Sequence, residues 1–135
     1  MFVTPLYTAL LTFWFVVLSV RVIRYRGRGI PLGDGGDPAM LRLIRGQANF
    51  AEYVPLALLM MAMLEYTHTS IYLLHVLGLA LLIGRLLHGY ALSFKRRFVF
   101  GRAAGTILTF FVLITEGILC LMTALEGHAL WLGAM

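Results

Sequence analysis

The stretch LRLIRGQANFAEYVPL, Leu41–Leu56, decides how this chain folds. Its polar side chains stand inside a segment that is otherwise apolar enough to span a membrane; they are Arg42, Arg45, Gln47, Asn49 and Glu52. Ionisable side chains are expensive in lipid, and they persist where they face the interior of a bundle or an aqueous cavity. The stretch therefore predicts a membrane helix whose polar face is turned towards other helices.

Most of these polar side chains share one face of the predicted helix. At about 100° per residue they fall within roughly an 80° arc. They are Arg42, Arg45, Asn49 and Glu52. The set suits a small, charged ligand that carries amide groups, because the planar guanidinium of arginine binds a carboxylate in bidentate fashion. The alternative is an internal network in which Arg45 pairs with Glu52 and holds helices together.

The composition indicates a polytopic membrane protein. Of the 135 residues, 61% are hydrophobic and only 13% are charged, whereas soluble domains carry about 25% charged residues. The length favours a single domain, 1–135. One cysteine, Cys120, excludes an intrachain disulfide, and the histidines are too scattered for a zinc site, so we expect no metal.

Four apolar segments are each close to the ~20 residues that cross a bilayer. They run over about 3–22, 38–66, 71–94 and 101–125. Asp37 and Pro38 have the residue types of an N-cap and a first helical turn, so they open the second helix. The predicted fold class is all-α, an integral membrane four-helix bundle. The tail, Glu126–Met135, is expected to lie at the membrane interface through Trp131.

The basic residues predict the orientation in the membrane. All eleven flank the first and third loops, and the second loop and both termini have none. Because basic loops stay in the cytoplasm, both termini are expected to lie outside. Each helix brings an arginine to the cytoplasmic layer, which predicts an anion site there. The net charge of +5 needs no nucleic acid to explain it.

A longer pattern runs through the same helix. R-x-x-R-G-Q-A-N-x-x-E-Y-x-P, Arg42 to Pro55, resembles the helix-two signature of the MAPEG family, the membrane-associated proteins of eicosanoid and glutathione metabolism. GDGG in the first loop and GRLLHGY in the third helix resemble its small bacterial branch, which is similar to microsomal glutathione transferases. The resemblance implies a homotrimer in the bacterial inner membrane, with glutathione bound between subunits near the cytoplasmic face.

The resemblance also implies which residues bind glutathione. Those that match the family's contacts or signature in the first two helices are Arg24, Arg42, Arg45, Gln47, Asn49, Glu52 and Tyr53. In the third helix Arg85 and His88 match the first two places of a family pattern. Leu92 stands at the third place, where the family has a tyrosine, and Tyr90 lies two residues before it. We include Tyr90 in the candidate site.

Arg102, at the start of the fourth helix, is the candidate catalytic residue. The resemblance implies that an arginine here lies beside the glutathione sulfur. A nearby cation favours the thiolate, which is the nucleophile, and the helix N-terminus adds positive potential. The alternative is a membrane-surface anchor, the role expected for Lys95, Arg96 and Arg97, which would contact lipid phosphates.

Two further titratable side chains lie within the predicted helices. His88 is interpreted as a proton shuttle, as part of a pocket wall or as a structural histidine. Glu116 lies deep in the fourth helix, so we expect it to be neutral or hydrogen-bonded across helices. His75 is the candidate partner.

The resemblance implies a membrane-bound glutathione transferase or peroxidase with a role in detoxification. It would conjugate glutathione to hydrophobic small-molecule electrophiles or reduce lipid hydroperoxides, with the acceptor entering from membrane lipid. One alternative is a non-catalytic lipid-binding or scaffold protein of the same fold. Another is a transporter, whose path would need polar residues through the outer half of the bundle, where few occur.

Overall fold

The computed structural model describes residues 2–30, 32–95 and 98–133, the last four by their backbone alone. These residues form four helices and no strand. The helices are α1, Val3–Arg26; α2, Pro38–Tyr66; α3, Ile71–Ser93; and α4, Val99–Gly133. All four are long and apolar enough to cross a membrane. The prediction of an all-α chain with four such helices is confirmed.

Two helices are longer than the sequence predicted. α1 continues past Val22 to Arg26, because arginine favours helix and the C-cap comes only at Gly27. α4 begins at Val99 and runs to Gly133, past the predicted end at 125. Gly127 weakens a helix but does not end it where no proline follows. Residues 126–133 of the predicted tail therefore continue α4, and the side chain of Trp131 lies outside the described residues.

The helices α2 and α3 form the centre of the bundle. Each packs against both α1 and α4, and α1 and α4 do not contact each other within the described chain. The core contains fully buried apolar side chains from all four helices, among them Leu11, Ala57, Leu81 and Val112. At one end the last turns of α1 and α3 lie beside the first turns of α2 and α4. We call this end, which carries the arginines, the basic end.

At the basic end the backbones of α3 and α4 approach closely. A Cβ atom on Gly105 would lie 2.5 Å from the carbonyl oxygen of Gly84 and 2.8 Å from the Cβ atom of His88. Only glycine permits this approach, as in other closely packed membrane helices. It brings the first turns of α4 against the segment of α3 that carries Arg85 and His88.

At the other end Tyr7 of α1 lies over Gly78 of α3, where a Cβ atom would meet its ring at 2.2 Å. The Tyr7 hydroxyl donates to the His75 carbonyl at 3.0 Å and lies 3.2 Å from His75 Nδ1. The expectation that His75 partners Glu116 is therefore wrong. Glu116 is 0% exposed, and neither carboxylate oxygen has a hydrogen-bond partner in the described part of the chain.

The loop between α1 and α2 is tied to both helices by Asp37. Its Oδ1 accepts the N–H of Ala39 at 2.7 Å, and its Oδ2 accepts the Tyr25 hydroxyl at 2.7 Å. Pro38 follows in the first turn, so the predicted start of α2 is confirmed. The hydrogen bonds from Tyr25 and then Ala39 stabilise the carboxylate, and they hold the pKa of Asp37 below its ordinary value.

Candidate functional site

A cleft of about 320 Å³ opens at the basic end between α2, α3 and α4. We call it the basic cleft. Its lining residues are Leu41, Arg42, Arg45, Asn49, Glu52, His88, Leu92 and Arg102. Every polar residue in this lining is one that the sequence had placed in the candidate site. The periodicity of α2 thus identified the face that lines the cleft.

The α2 side of the basic cleft carries both signs of charge. Arg45 and Glu52 are exposed, and Arg42 and Asn49 are half-buried. Within the described residues no hydrogen bond or ion pair joins Arg45 to Glu52. The alternative in which this pair holds helices together is therefore not formed in the subunit. Both groups remain able to contact a ligand.

The α4 side of the basic cleft adds Arg102, the fourth residue of the helix and within its first turn. The N-terminus of a helix carries partial positive charge, and the effect is strongest within the first turn. Three guanidinium groups face one carboxylate in the lining, so the cleft is net positive. Its electrostatics favour an anionic ligand that also carries one cationic group.

Arg85 lies behind the basic cleft and ties its three walls together. It is 2% exposed. Its Nη1 donates to Asn49 Oδ1 on α2 at 2.9 Å, and its Nη2 donates to the Gly105 carbonyl on α4 at 3.1 Å. The Tyr53 ring lies 5.9 Å from the guanidinium carbon, within reach of a cation–π interaction. Arg85 and Tyr53 thus support Asn49 from behind and do not line the cleft.

His88 forms part of the α3 wall of the basic cleft. It is 6% exposed, and the close approach of Gly105 fixes its backbone against α4. Its ring forms no hydrogen bond with other described residues. The structure therefore places His88 in the pocket wall, where its ring can meet a ligand.

Three of the sequence-predicted site residues lie away from the basic cleft in the subunit. Gln47 donates through Nε2 to the Ser19 hydroxyl of α1 at 3.0 Å. Tyr90 is exposed and stacks on Phe94 with ring centroids 5.3 Å apart. Arg24 lines a second cavity of about 180 Å³, which we call the α1 cavity, with Arg21, Tyr25, Arg28 and Leu43.

The sequence also predicted three membrane-surface anchors in the loop before α4. Of these, Lys95 is exposed, and Arg96 and Arg97 lie outside the described residues.

The sequence missed two structural roles near the ends of the bundle. Leu92 lines the basic cleft, one turn after His88 on the same face of α3. The spacing of four residues from His88 was the sequence signal that could have identified this role.

The second missed role lies at the opposite end of the bundle, where a cavity of about 740 Å³ has Glu65 in its lining. Glu65 accepts the backbone N–H groups of Phe2, Val3 and Thr4. It caps a helix other than its own, which no local pattern indicates.

Comparison with known proteins identifies the family of this chain. The sequence model of the MAPEG family matches residues 4–122, a range that contains the whole lining of the basic cleft. The chain is 32% identical over 113 residues to the "Inner membrane protein YecN" of Escherichia coli strain K12, which covers 83% of this chain and 85% of that protein. The protein of the same name in Escherichia coli O6:H1 is similar to the same degree. The chain belongs to the MAPEG family.

Proposed function

We propose that this protein is a membrane-bound glutathione transferase or peroxidase that acts on hydrophobic electrophiles or lipid hydroperoxides. The observation that carries the proposal is the basic cleft, where side chains from three helices surround one cavity. The proposal also rests on membership of the MAPEG family.

The groups in the basic cleft complement those of glutathione. Glutathione has two carboxylates, one ammonium group, two peptide groups and a thiol. The guanidinium groups of Arg42 and Arg45 suit the carboxylates, and Glu52 suits the ammonium group. The cavity of about 320 Å³ lies at the small end of the roughly 300–1,000 Å³ typical of ligand pockets. The size and charges of the basic cleft therefore support a compact acidic tripeptide such as glutathione as the ligand.

Arg102 would activate the thiol. A guanidinium stays charged and favours the thiolate over the neutral thiol. In the transferase reaction the thiolate sulfur forms a bond to the electrophilic carbon, and the electron pair leaves with the leaving group or is protonated on the acceptor. In the peroxidase reaction two glutathione molecules become the disulfide while the hydroperoxide is reduced to an alcohol and water. His88 lies in the wall of the same cleft, where it can carry a proton.

A homotrimer would complete the site with the α1 cavity of a neighbouring subunit. Within one subunit α1 and α4 do not contact each other in the described residues, so α1 has a face that a second copy could cover. Arg24 is exposed in the α1 cavity. Placed against the next subunit's basic cleft, it would add a further cation to the ligand.

The acceptor would reach the thiolate from the lipid. The outer face of α4 is apolar and exposed at Ile107, Phe110 and Phe111, one to three turns from Arg102. Apolar electrophiles concentrate in the bilayer next to this face. We place the basic end in the cytoplasm and the termini outside, in the inner membrane, following the positive-inside rule and the relatives' names.

The test is glutathione binding to detergent-purified protein, measured by calorimetry for the wild type and for Arg45→Ala. Lys95→Ala is the matched control, because Lys95 is an exposed cation at the same end that does not line the cleft. We expect glutathione binding to be lost in Arg45→Ala and kept in Lys95→Ala. The rate of glutathione conjugation to a chlorinated nitrobenzene should likewise be lost in Arg45→Ala and kept in Lys95→Ala. Binding without turnover of any electrophile or hydroperoxide would favour the lipid-binding or scaffold alternative, and no binding would contradict the proposal.

A further inference from the structure

The amide of Asn49 is held in one orientation by Arg85. A guanidinium has five donors and no acceptor, so the group that faces Arg85 Nη1 at 2.9 Å has to be the amide oxygen. The amide nitrogen then points away from Arg85. Because Asn49 lines the basic cleft, its NH₂ group is the part of the side chain left for a ligand.

Arg85 is itself held firmly enough to impose this orientation. It is 2% exposed, and its second nitrogen donates to the Gly105 carbonyl at 3.1 Å. The Tyr53 ring lies on another side of the guanidinium. Turning the Asn49 amide over would direct its NH₂ group at a buried cation that can only donate, and this would leave two donors facing each other.

We propose that Arg85 is a positioning residue that makes Asn49 a hydrogen-bond donor to the ligand, so that position 49 selects a carbonyl or carboxylate oxygen. This inference rests on the proposed function and names a requirement on its substrate. Among the other polar lining residues, Arg42, Arg45 and Arg102 are donors only, Glu52 is an acceptor, and the His88 ring can donate or accept. The lining therefore favours a ligand with several oxygen acceptors and at least one donor group, which is the pattern of an acidic peptide.

The substitution Asn49→Asp tests the direction of the hydrogen bond. One carboxylate oxygen keeps the bond to Arg85, and the other replaces the NH₂ group with an acceptor that repels the ligand's oxygen. We expect glutathione affinity to fall by roughly tenfold or more, at least as far as in Asn49→Ala. Wild-type affinity in Asn49→Asp would overturn the inference, because the ligand would then be binding the side-chain oxygen of residue 49 and not its NH₂ group.

A double-mutant cycle tests whether Arg85 acts through Asn49. Arg85→Met keeps the length of the side chain and removes its donors, and we expect it to weaken glutathione binding in the wild-type background. In the Asn49→Ala background the same change should have little further effect, because there is no amide to orient. Equal losses in both backgrounds would overturn the positioning role. If Arg85→Met does not fold, the Asn49→Asp result decides the question.

Thermal unfolding of the ligand-free protein separates this inference from the proposed function. Asn49→Asp should unfold at or above the wild-type temperature, because a carboxylate bonds a guanidinium more strongly than an amide does, and Asn49→Ala should unfold below it. If the wild type binds no glutathione, the proposed function fails, and this order of unfolding temperatures still supports the Arg85–Asn49 orientation. Equal destabilisation by both substitutions would overturn it.

Discussion

The Glu65 carboxylate, in the last turn of α2, accepts the backbone N–H of Thr4 in the first turn of α1 at 2.9 Å. The N–H of Val3 donates to the same carboxylate at 3.0 Å. The first N–H groups of a helix have no partner within it, and in lipid or at its edge an unpaired N–H is costly. One side chain therefore joins two helices at the end of the bundle opposite the basic end.

Replacing Glu65 should loosen this end of the bundle. We expect Glu65→Ala to lower the free energy of unfolding by about 1–2 kcal/mol, the upper part of the range for losing an N-cap. Glu65→Gln is the matched control and should lose less, because its amide oxygen still accepts. Denaturant unfolding in detergent measures both. Wild-type stability in Glu65→Ala would show that water replaces the carboxylate without cost.

The contact between α3 and α4 gives a prediction with a control on the same helix. Gly105→Ala places a Cβ atom 2.5 Å from the Gly84 carbonyl oxygen, whereas nothing lies within 4 Å of a Cβ atom on Gly117. We expect Gly105→Ala to cost about 1–3 kcal/mol through overpacking, and Gly117→Ala to be neutral or slightly stabilising because alanine favours helix.

The same pair of variants tests the geometry of the site. Gly105→Ala also moves the carbonyl that accepts from Arg85, so glutathione affinity should fall together with stability. Gly117→Ala should leave the affinity unchanged. Equal behaviour of the two variants would contradict the close approach of α3 and α4.

Glu116 is a position where a substitution should raise the free energy of unfolding, whereas the substitutions of Glu65 and Gly105 should lower it. Both of its carboxylate oxygens are buried without a partner in the described chain, and a buried polar group without a hydrogen bond costs about 1–3 kcal/mol. Glu116→Leu has a similar volume and no polar atom, so we expect the free energy of unfolding to rise. A fall would mean that the carboxyl group has a partner in the assembled protein, such as a water molecule or another subunit.

Asp37 gives the expected pH dependence. Its pKa in the folded chain is lowered by the Tyr25 hydroxyl and the Ala39 N–H. The ionised carboxylate therefore stabilises the folded state more than the protonated form does. The stability that it contributes is complete above the unfolded-state pKa of about 3.9. It is lost as the pH falls through the lower, folded-state pKa.

Unfolding of the wild type and of Asp37→Asn as a function of pH checks this sign. Asparagine has one acceptor oxygen where aspartate has two, so the variant should be less stable at neutral pH. The difference between the two proteins should stay constant down to about pH 5 and shrink below it. A difference that grows on acidification would contradict the assignment.

The sequence predicted the parts of the fold that depend on local patterns. Hydropathy located the helices, Asp37 and Pro38 located the start of α2, and the period of 3.6 residues identified the face of α2 that lines the basic cleft. These features depend on residues within one or two turns of one another. The predicted end of α4 at residue 125 was wrong, because the helix continues through Gly127, which weakens a helix without ending it.

The parts that the sequence did not predict depend on how helices cross. The hydrogen bond from Arg85 to the Gly105 carbonyl requires α3 to pass close to α4 at Gly84 and Gly105, and no local pattern gives that crossing. His75 was paired with Glu116 by depth alone. In the structure the ring of Tyr7 packs against Gly78 of α3, which has no side chain. The Tyr7 hydroxyl therefore contacts His75.

The central claim is that the basic cleft holds glutathione as its thiolate beside Arg102. The most direct measurement is the ultraviolet absorbance of the thiolate during titration of glutathione into the purified wild type, Arg102→Ala and Lys95→Ala. We predict that a thiolate band appears in the wild type and in Lys95→Ala and is absent in Arg102→Ala, while calorimetry shows that this variant still binds glutathione. A band of equal size in Arg102→Ala, or no band in a wild type that binds glutathione, would contradict the account.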